Sequence, residues 1–217
     1  MMNQVLETIK NRRSVRLYEQ KPVPKAILNT IIEAGNLAPS TGDEKVVEKK
    51  GKKIKVTNYQ PWRFVVVENP EFKQQLFQTI DPIRANFYES MKETMPEMYE
   101  RGMRLIEAMD EPKDLVFYSA PVIIYVIGPT KNDIGCAMAC ENIMLAAGSL
   151  GLGSCYDGFG AMVTHNPEVV QTLGIVEGER IYGPILIGYP KLNPSAAQVS
   201  AFEKLRSKKK EPVIKWV

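Results

Sequence analysis

The sequence predicts an α+β fold in which helices flank a mixed, mostly antiparallel central sheet. Short apolar runs with the length of buried strands occur at Arg63–Glu68, at Pro121–Ile127 and again in the C-terminal third. Segments with helical spacing separate some of these runs but not others, so strands and helices do not alternate strictly. The composition, 44% hydrophobic and 24% charged over 217 residues, is typical of one globular domain.

The N-terminal part contains two predicted helices and one unusual segment. Residues 3–10 have the spacing of a short amphipathic helix. Pro24–Ala38 is a stronger helix, because a proline suits its first turn and another proline follows its last residue. Residues 43–57 hold six lysines and three acids around Gly51, unlike their surroundings. Apolar residues on both sides of this glycine predict a β-hairpin inserted at the surface.

The rest of the chain supplies the other elements. A helix at Pro70–Ile80 follows the first strand. Residues 83–109 have helical spacing interrupted at Pro96, and their methionine and aromatic residues predict either core packing or a helical cover over a pocket. Asp133–Leu150 is apolar nearly all round, which predicts a central buried helix. The remaining elements are the strands Gly151–Tyr156 and Ile181–Tyr189, the short helix Pro167–Leu173 and a C-terminal tail over residues 203–217.

Charge, hydropathy and cysteine content limit the class of protein. A formal net charge of +3 is too small to indicate nucleic-acid binding by itself. No apolar run reaches the roughly 18–20 residues that span a bilayer, and the N-terminus lacks the pattern of a secretory signal. An odd number of cysteines, three, favours reduced thiols. We therefore expect a cytoplasmic protein without a membrane segment.

The run Arg12-Arg13-Ser14-Val15-Arg16 is the first candidate for a binding function. It places three guanidinium groups and a hydroxyl within five residues, directly after a short predicted helix. Guanidinium forks match phosphate oxygens, and a serine hydroxyl can complete such a site. The alternative is a solvated basic face, which is the usual role of a charge run.

The second candidate is the motif Asn58-Tyr59-Gln60-Pro61-Trp62, with Ala38-Pro39-Ser40 ahead of it. Asn and Gln amides both donate and accept hydrogen bonds. They therefore suit a ligand edge on which donors and acceptors alternate, such as that of a flavin ring. A polar turn before a strand is the alternative.

The third candidate is the glycine-rich stretch from Gly148 to Gly160. Its first glycines allow a buried helix to turn into a strand with close backbone approach. Gly158, near its end, is placed to bring a bare backbone N–H against a flat ring. A helix C-cap followed by a tight turn is the alternative.

In this order, the three segments resemble the nitroreductase family of FMN-dependent oxidoreductases. The resemblance extends from about Asn3 to Ile187. It implies a nitroreductase-like α+β fold and a homodimer with the flavin at the subunit interface. It also implies that a hydride from NADH or NADPH passes through FMN to a nitroaromatic, a quinone or a similar small-molecule acceptor by a ping-pong mechanism.

The resemblance assigns expected roles to residues of the first and third segments. Arg12 and Ser14 would hold the FMN phosphate, with Arg13 nearby. Arg16 would lie near the pyrimidine end of the ring and stabilise negative charge on the reduced flavin. Gly158, helped by Asp157, would donate its N–H to the reactive ring nitrogen.

Further flavin contacts are expected from the second segment and from the tail. Pro39, Ser40 and Asn58 would reach the flavin bound mainly by the other subunit, and Gln60 is a further candidate contact. Family members also have basic phosphate contacts in the tail. The candidates here are Lys208 and Lys209, although a solvated tail is an equal alternative.

This sequence departs from the family pattern at the hairpin. Family members usually place only a couple of residues between the serine matching Ser40 and the asparagine matching Asn58, whereas residues 41–57 intervene here. A hairpin whose ends lie together would restore the geometry. We expect the insert to overhang the cofactor and to select substrates by size or charge.

The residue inventory fits chemistry centred on a cofactor. The single histidine, His165, has turn residues beside it and is predicted at a surface turn or cap, which leaves no candidate for a Ser–His–Asp triad. Cys136 and Cys140 lack further metal-binding partners and are predicted in the core. A flavin would supply the missing reactive group.

Two alternative functions remain open. The same fold could carry out flavin fragmentation or reductive dehalogenation, as some members of the family do. The chain could instead be a non-catalytic binding protein whose lysine-rich insert contacts nucleic acid or an acidic partner. The three acids and the lack of aromatic residues within the insert argue against specific single-strand binding.

Overall fold

A computed structural model describes residues 3–40, 43–110, 114–131, 133–203 and 211–216, with the backbone alone for 43–47, 55–59 and 133. The helices of these residues are α1 (Gln4–Asn11), α2 (Lys25–Asn36), α3 (Pro70–Thr94), α4 (Pro96–Ala108), α5 (Asp133–Ser149), α6 (Pro167–Leu173) and α7 (Ala196–Glu203), with a short 3-10 helix at Phe159–His165. The strands are β1 (Asp43–Lys49), β2 (Lys52–Tyr59), β3 (Arg63–Val67), β4 (Val122–Pro129), β5 (Gly153–Tyr156), β6 (Glu179–Ile181) and β7 (Ile185–Gly188).

The main sheet has the strand order β3-β4-β7-β5, and β6 also pairs with β4. All pairings between these strands are antiparallel. The parallel component is a single bridge between Ser14 and Ser154. The predicted α+β class, with a mostly antiparallel sheet flanked by helices, is therefore confirmed.

Strand β4 forms the centre of the core because both of its faces are apolar. Its alternate residues enter two different hydrophobic clusters, as the two-residue period of a strand requires. Ile124 belongs to a cluster with residues of α2 and α5, whereas Ile123 belongs to a cluster with residues of α3 and α6. Helices thus cover both faces of the sheet.

The single strand predicted at Ile181–Tyr189 is two strands, β6 and β7, which pair with successive halves of β4. Ile181 pairs with Ile127, and Ile185 pairs with Ile124. Three residues, 182–184, therefore lie opposite two residues of β4, which is the pattern of a β-bulge. The bulge ends the regular ladder and turns the backbone of Pro184 towards the loop after β5, where its carbonyl accepts a hydrogen bond from Asp157 N (3.0 Å).

The helix predicted to end at Ile80 instead continues through Pro82 to Thr94. Pro82 is solvent-exposed, while Leu76, Ile80 and Met91 are buried on one side of the helix. Packing of this apolar side outweighs the hydrogen bond that the proline removes. The predicted interruption at Pro96 does separate α3 from α4.

Helix α5 is buried on one face only, so the prediction of burial on all sides was wrong. Its inner face packs closely on α2: a Cβ added at Gly35 of α2 would lie only 2.7 Å from Ile143 Cγ1 of α5. Its outer face leaves two large apolar residues accessible, Ile134 at 64% and Met138 at 41% exposure. Large apolar side chains that are exposed close together are typical of a surface that another chain covers.

The lysine-rich segment forms an antiparallel two-stranded sheet of its own, made of β1 and β2. Lys50 (φ 52°) and Gly51 (φ 71°) both have left-handed backbone conformations, as a tight type I′ hairpin turn requires. Asp43 pairs with Tyr59 at the other end, so the two ends of the hairpin lie side by side. Among the described residues, no helix has the length and apolar character needed to cross a membrane.

Arg63, the first residue of β3, joins three elements. Its guanidinium group donates to the Leu173 carbonyl (2.9 Å) and the Gly174 carbonyl (2.6 Å), and it pairs with the Glu179 carboxylate (2.8 Å). The two carbonyls belong to the C-terminal end of α6, where such groups lack partners within the helix. Arg63 therefore fastens α6 and β6 to the edge of the sheet.

We predict that Arg63→Ala lowers the free energy of unfolding by about 2 kcal/mol, because it leaves the Glu179 carboxylate and two carbonyls without their donor. Urea denaturation followed by circular dichroism measures this change. Arg104→Ala is the matched control, since Arg104 pairs with Glu100 at an exposed helical position (3.5 Å) and should cost at most about 0.5 kcal/mol. Equal losses in the two variants would contradict the role given to Arg63.

Candidate functional site

The arginine-rich segment lies along β5. Arg12 ends α1 with an extended backbone conformation (φ −53°, ψ 129°), and the chain then runs beside β5, with Val15 N donating to Ser154 O (2.9 Å). This approach requires glycine at position 153, because a Cβ there would lie 2.7 Å from the Val15 side chain. The predicted role of glycine in close backbone approach thus applies to Gly153.

The three arginines of the segment have different surroundings. Arg13 is exposed and folds back on α1, where its guanidinium group donates to Lys10 O (2.6 Å) and Arg12 O (2.9 Å). Arg12 is half-buried and forms a long ion pair with Glu141 of α5 (3.9 Å). Only Arg16 points towards the residues that follow β5.

Arg12 and Arg13 line a cavity of about 520 Å³ between α1, the end of α5 and β5. Polar side chains of α1, among them Gln4, Glu7 and Thr8, line the opposite wall. A cavity with two guanidinium groups and several hydrogen-bonding side chains can accept an anionic or polar ligand.

Arg16 is half-buried among aromatic residues. Its guanidinium carbon lies 5.7 Å from the centroid of the Tyr118 ring, within the range of a cation–π contact. Burial raises the pKa of the neighbouring Tyr18 and Cys155, so both stay neutral near pH 7. Among the described residues, no salt bridge pairs Arg16 with a carboxylate, although its positive charge acts on Asp157.

Asp157 follows β5 and holds the next turn in place. Its carboxylate accepts hydrogen bonds from Phe159 N (3.1 Å) and Gly160 N (3.0 Å). The Gly160 contact requires glycine, because a Cβ there would lie 2.7 Å from the carboxylate and 2.5 Å from Pro184. The side chain of Asp157 thus acts on the backbone around Gly158 and does not reach out towards a ligand.

Gly158 is exposed, and a Cβ at this position would meet nothing within 4 Å. Its backbone N–H donates to no acceptor among the residues that the structure describes. The neighbouring N–H groups of Asp157, Phe159 and Gly160 all have partners. Within this turn, the Gly158 N–H is therefore the donor that has no acceptor among the described residues.

Burial raises the pKa of Asp157 to about 7, and the Gly160 and Phe159 N–H groups limit the rise. The nearby carboxyl group of Asp114 contributes to the increase, and Arg16 opposes it. Asp157 is therefore close to half-protonated at neutral pH. A proton on this carboxyl would weaken its hold on the turn.

Residues of the second sequence motif lie at the other edge of the sheet. Gln60 precedes β3, which is separated from β5 by β4 and β7. Three inter-strand steps of about 4.8 Å give a separation of about 14 Å between these strands. Gln60 and Pro39 are exposed, and Ser40 is half-buried.

Three predicted contacts have no described side chain. The backbone of Asn58 lies in β2, next to the base of the hairpin, but its side chain is outside the described residues. Lys208 and Lys209 are also outside them. The structure thus places Arg16 near Asp157 and Gly158 within one chain, whereas Gln60 lies at the opposite edge of the sheet.

Other predicted reactive residues have structural positions. His165 is exposed at the end of the 3-10 helix, and the three cysteines are buried. Within the described part of the chain, no group of three or more His, Cys, Asp or Glu side chains could hold a metal ion. Sequence analysis missed Tyr118, whose position depends on a turn that no motif marks.

The family of the chain follows from comparison with known proteins. The profile of the Nitroreductase family matches residues 9–189, and the chain belongs to this family. A crystal structure of a nitroreductase with bound FMN from Bacteroides fragilis is 29% identical and has a TM-score of 0.61, covering 99% of this chain and 96% of that one. A second nitroreductase with bound FMN, from Desulfitobacterium hafniense, is 26% identical with a TM-score of 0.64 over 89% and 93% of the two chains.

Two curated relatives extend the comparison. A protein of Methanothermobacter thermautotrophicus, provisionally named NADH dehydrogenase/NAD(P)H nitroreductase, is 29% identical over 190 residues, 88% of this chain and 79% of that protein. Iodotyrosine deiodinase 1 of Rattus norvegicus is 23% identical over 192 residues, 85% of this chain and 61% of that protein. The family predicted from the three motifs is therefore confirmed.

We predict that stability falls as the pH rises through the range in which Asp157 titrates. The folded protein holds this proton up to about pH 7, whereas the ordinary pKa is 3.8. The stabilising contribution is thus fully present below pH 3.8 and is lost as the pH passes about 7. At about 1.4 kcal/mol per pH unit, the loss is at most about 4 kcal/mol.

Urea denaturation of wild type and Asp157→Asn between pH 4 and pH 8 tests this prediction, and the variant should show a flatter profile. Asp110→Asn is the control, because Asp110 is exposed and hydrogen bonds from Lys191 and Gln198 lower its pKa. That variant should keep the wild-type fall. Parallel profiles for wild type and Asp157→Asn would show that Asp157 titrates normally.

Proposed function

We propose that the protein is an FMN-dependent oxidoreductase that uses NADH or NADPH to reduce a nitroaromatic, a quinone or a similar acceptor. One observation carries the proposal: Asp157 feels the charge of a half-buried cation, Arg16, and is followed in the chain by Gly158, whose N–H has no acceptor among the described residues. A cation and a preorganised donor stabilise negative charge that develops on a flat heterocycle. The FMN in the Bacteroides fragilis nitroreductase and the NAD(P)H in the name of the Methanothermobacter relative support the same reading.

Two side chains of the arginine-rich segment suit the FMN phosphate. Arg12 lines the cavity beside β5, and its ion pair with Glu141 is long enough to exchange for a phosphate contact. Ser14 is exposed next to it. Arg13 already donates to two carbonyls, so it would add charge near the phosphate without a dedicated hydrogen bond.

When bound, FMN would supply the redox chemistry, taking a hydride equivalent from NADH or NADPH and passing it to the acceptor in a ping-pong sequence. Arg16 would stabilise negative charge at the pyrimidine end of the ring. The Gly158 N–H would donate to the reactive ring nitrogen. Asp157 would keep that N–H aimed by holding the N–H groups of Phe159 and Gly160.

We further propose a homodimer that shares its flavin sites. The separation of about 14 Å between the two edges of the sheet keeps Gln60 away from Arg16 within one chain. A second subunit would bring its own copies of Pro39, Ser40 and Gln60 to the flavin. Exposed apolar side chains supply a surface for this contact, namely Val5, Leu6 and Ile9 of α1 and Ile134 and Met138 of α5.

Aromatic side chains beside Gly158 favour an aromatic acceptor. The Phe87 ring lies 5.5 Å from that of Phe159, and the Tyr88 ring lies 6.5 Å from it. Phe87, on α3, is half-exposed. Helices α3 and α4 would then form the predicted cover over the acceptor.

Reductive dehalogenation of an aromatic compound is the second candidate activity. The same aromatic rings support it, since a halogenated ring would make the same contacts. The similarity to iodotyrosine deiodinase 1 over 85% of this chain also supports it. The two activities differ in the bond that is reduced, while the proposed cofactor site is the same.

The absorbance spectrum of the purified protein tests the central proposal. We expect the bands of bound flavin, and anaerobic addition of NADH or of NADPH should bleach them. Arg12→Ala should bind FMN at least about tenfold more weakly, whereas Arg13→Ala should bind nearly as well, because its guanidinium group is engaged on α1. A colourless protein that takes up no added FMN would refute the proposal.

We also propose that the β1–β2 hairpin selects acceptors. It joins Ser40 to Asn58, two residues expected to contact the flavin, and its tip carries Lys49, Lys50, Lys52 and Lys53 with exposed side chains. A projecting basic tip beside the cofactor would exclude bulky acceptors and attract anionic ones.

Deleting residues 43–56 should raise kcat/KM for bulky acceptors relative to small ones, and FMN binding should be kept because the ends of the hairpin are adjacent. Steady-state kinetics with a series of quinones of increasing size measures the effect. A variant with the four tip lysines changed to glutamine keeps the bulk and removes the charge, so it separates the two causes. Unchanged relative rates in both variants would remove the hypothesis.

A further inference from the structure

The turn between α4 and β4 contains two neighbouring residues in an unfavourable backbone conformation. Tyr118 (φ 53°) and Ser119 (φ 52°) are both left-handed, although neither is glycine. Each such residue costs about 1–2 kcal/mol relative to a right-handed one. A turn with this cost persists only where surrounding groups hold it, and such turns occur often at functional sites.

The Asp114 carboxylate holds the turn from inside. It accepts hydrogen bonds from Val116 N (3.0 Å), Phe117 N (2.7 Å) and Ser119 N (2.9 Å). Burial raises the pKa of Asp114, and these three N–H groups oppose the rise. A single carboxylate thus satisfies most of the backbone donors of the turn.

Two side chains from distant elements hold the turn from outside. The Lys73 ammonium group donates to Ala120 O and Pro121 O (3.1 Å each). Gln20 Nε2 donates to Ser119 O (3.0 Å). These contacts fix the turn to α3 and to the segment that follows the arginine-rich run.

The turn places the Tyr118 ring beside Arg16, 5.7 Å from its guanidinium carbon. Arg16 is half-buried, and no carboxylate among the described residues pairs with it. An arginine side chain has several rotatable bonds and about 2 kcal/mol of rotamer entropy. The Tyr118 side chain therefore limits where the guanidinium group can lie, both through its ring and through a side-chain hydrogen bond with Arg16.

We propose that Tyr118 is a positioning residue, whose ring and hydroxyl fix the Arg16 guanidinium group where it would meet the flavin. This inference rests on the proposed FMN site and adds to it a residue that needs no contact with the cofactor. The left-handed conformation of the turn places the Tyr118 ring beside Arg16. Asp114 and Lys73 stabilise the turn, so they affect the position of Arg16 only through Tyr118.

Binding of FMN to the apoprotein and the flavin reduction potential test the inference. Tyr118→Leu removes the ring and should weaken FMN binding about tenfold and make the potential more negative. Tyr118→Phe keeps the ring and removes only the hydrogen bond with Arg16, so it should weaken FMN binding less than Tyr118→Leu does. In the Arg16→Ala background, Tyr118→Leu should have almost no further effect, because its action passes through Arg16.

Three controls separate positioning from general damage. Tyr99→Leu removes a ring that lies 5.7 Å from the Lys92 ammonium group, and it should leave FMN binding unchanged. Ser119→Gly relieves one left-handed residue and keeps the Tyr118 ring, so it should stabilise the fold without weakening FMN binding. Asp114→Asn loosens the turn and keeps the Tyr118 ring, so it should show part of the loss in FMN affinity. It replaces Tyr118→Leu as the test if that variant does not fold.

Two outcomes would overturn the inference. One is wild-type FMN affinity and potential in Tyr118→Leu. The other is an equal effect of Tyr118→Leu with and without the Arg16 side chain, which would indicate general disruption of the fold. If the wild-type protein itself binds no FMN, the proposed function fails first, and this result is distinct from either of the others.

Discussion

The close approach of Val15 to Gly153 is the contact on which the candidate site depends. It fixes a segment from the N-terminal end of the chain against a strand from its C-terminal half, so Arg16 comes to lie near Asp157. Val15 N donates to Ser154 O (2.9 Å), and a Cβ at position 153 would clash with the Val15 side chain. Residues far apart in sequence form one site because of this missing side chain.

Much of the fold could be predicted because it depends on local pattern. The short apolar run of β4 and the proline and glycine residues at element ends are visible in the sequence. The continuation of α3 through Pro82 was not, since it depends on burial of Leu76 and Ile80 against a distant part of the chain. The exposed face of α5 was missed for a related reason, because an apolar residue has the same sequence signature whether its own chain or a second one covers it.

The candidate site shows the same division. The motif containing Arg12 and Ser14 was recognisable because its residues are neighbours in the sequence. The help that Asp157 gives to Gly158 was expected, but its hydrogen bonds to Phe159 N and Gly160 N could not be predicted from the sequence, which does not say whether a carboxylate faces a ligand or its own backbone. Tyr118 was missed because its contact with Arg16 arises from a turn held by three hydrogen bonds to Asp114, and nothing in the spacing of these residues predicts left-handed geometry.

The bulge between β6 and β7 makes the sheet less regular next to the candidate site. Removing one residue from 182–184 would let the two half-strands pair with β4 as one uninterrupted ladder. The same deletion would withdraw the Pro184 carbonyl from Asp157 N, and it would remove the contact that sets the course of the chain after β5. A regular ladder along β4 and the present course of the chain after β5 therefore exclude one another. This extra residue marks a place where the protein has kept a less regular architecture.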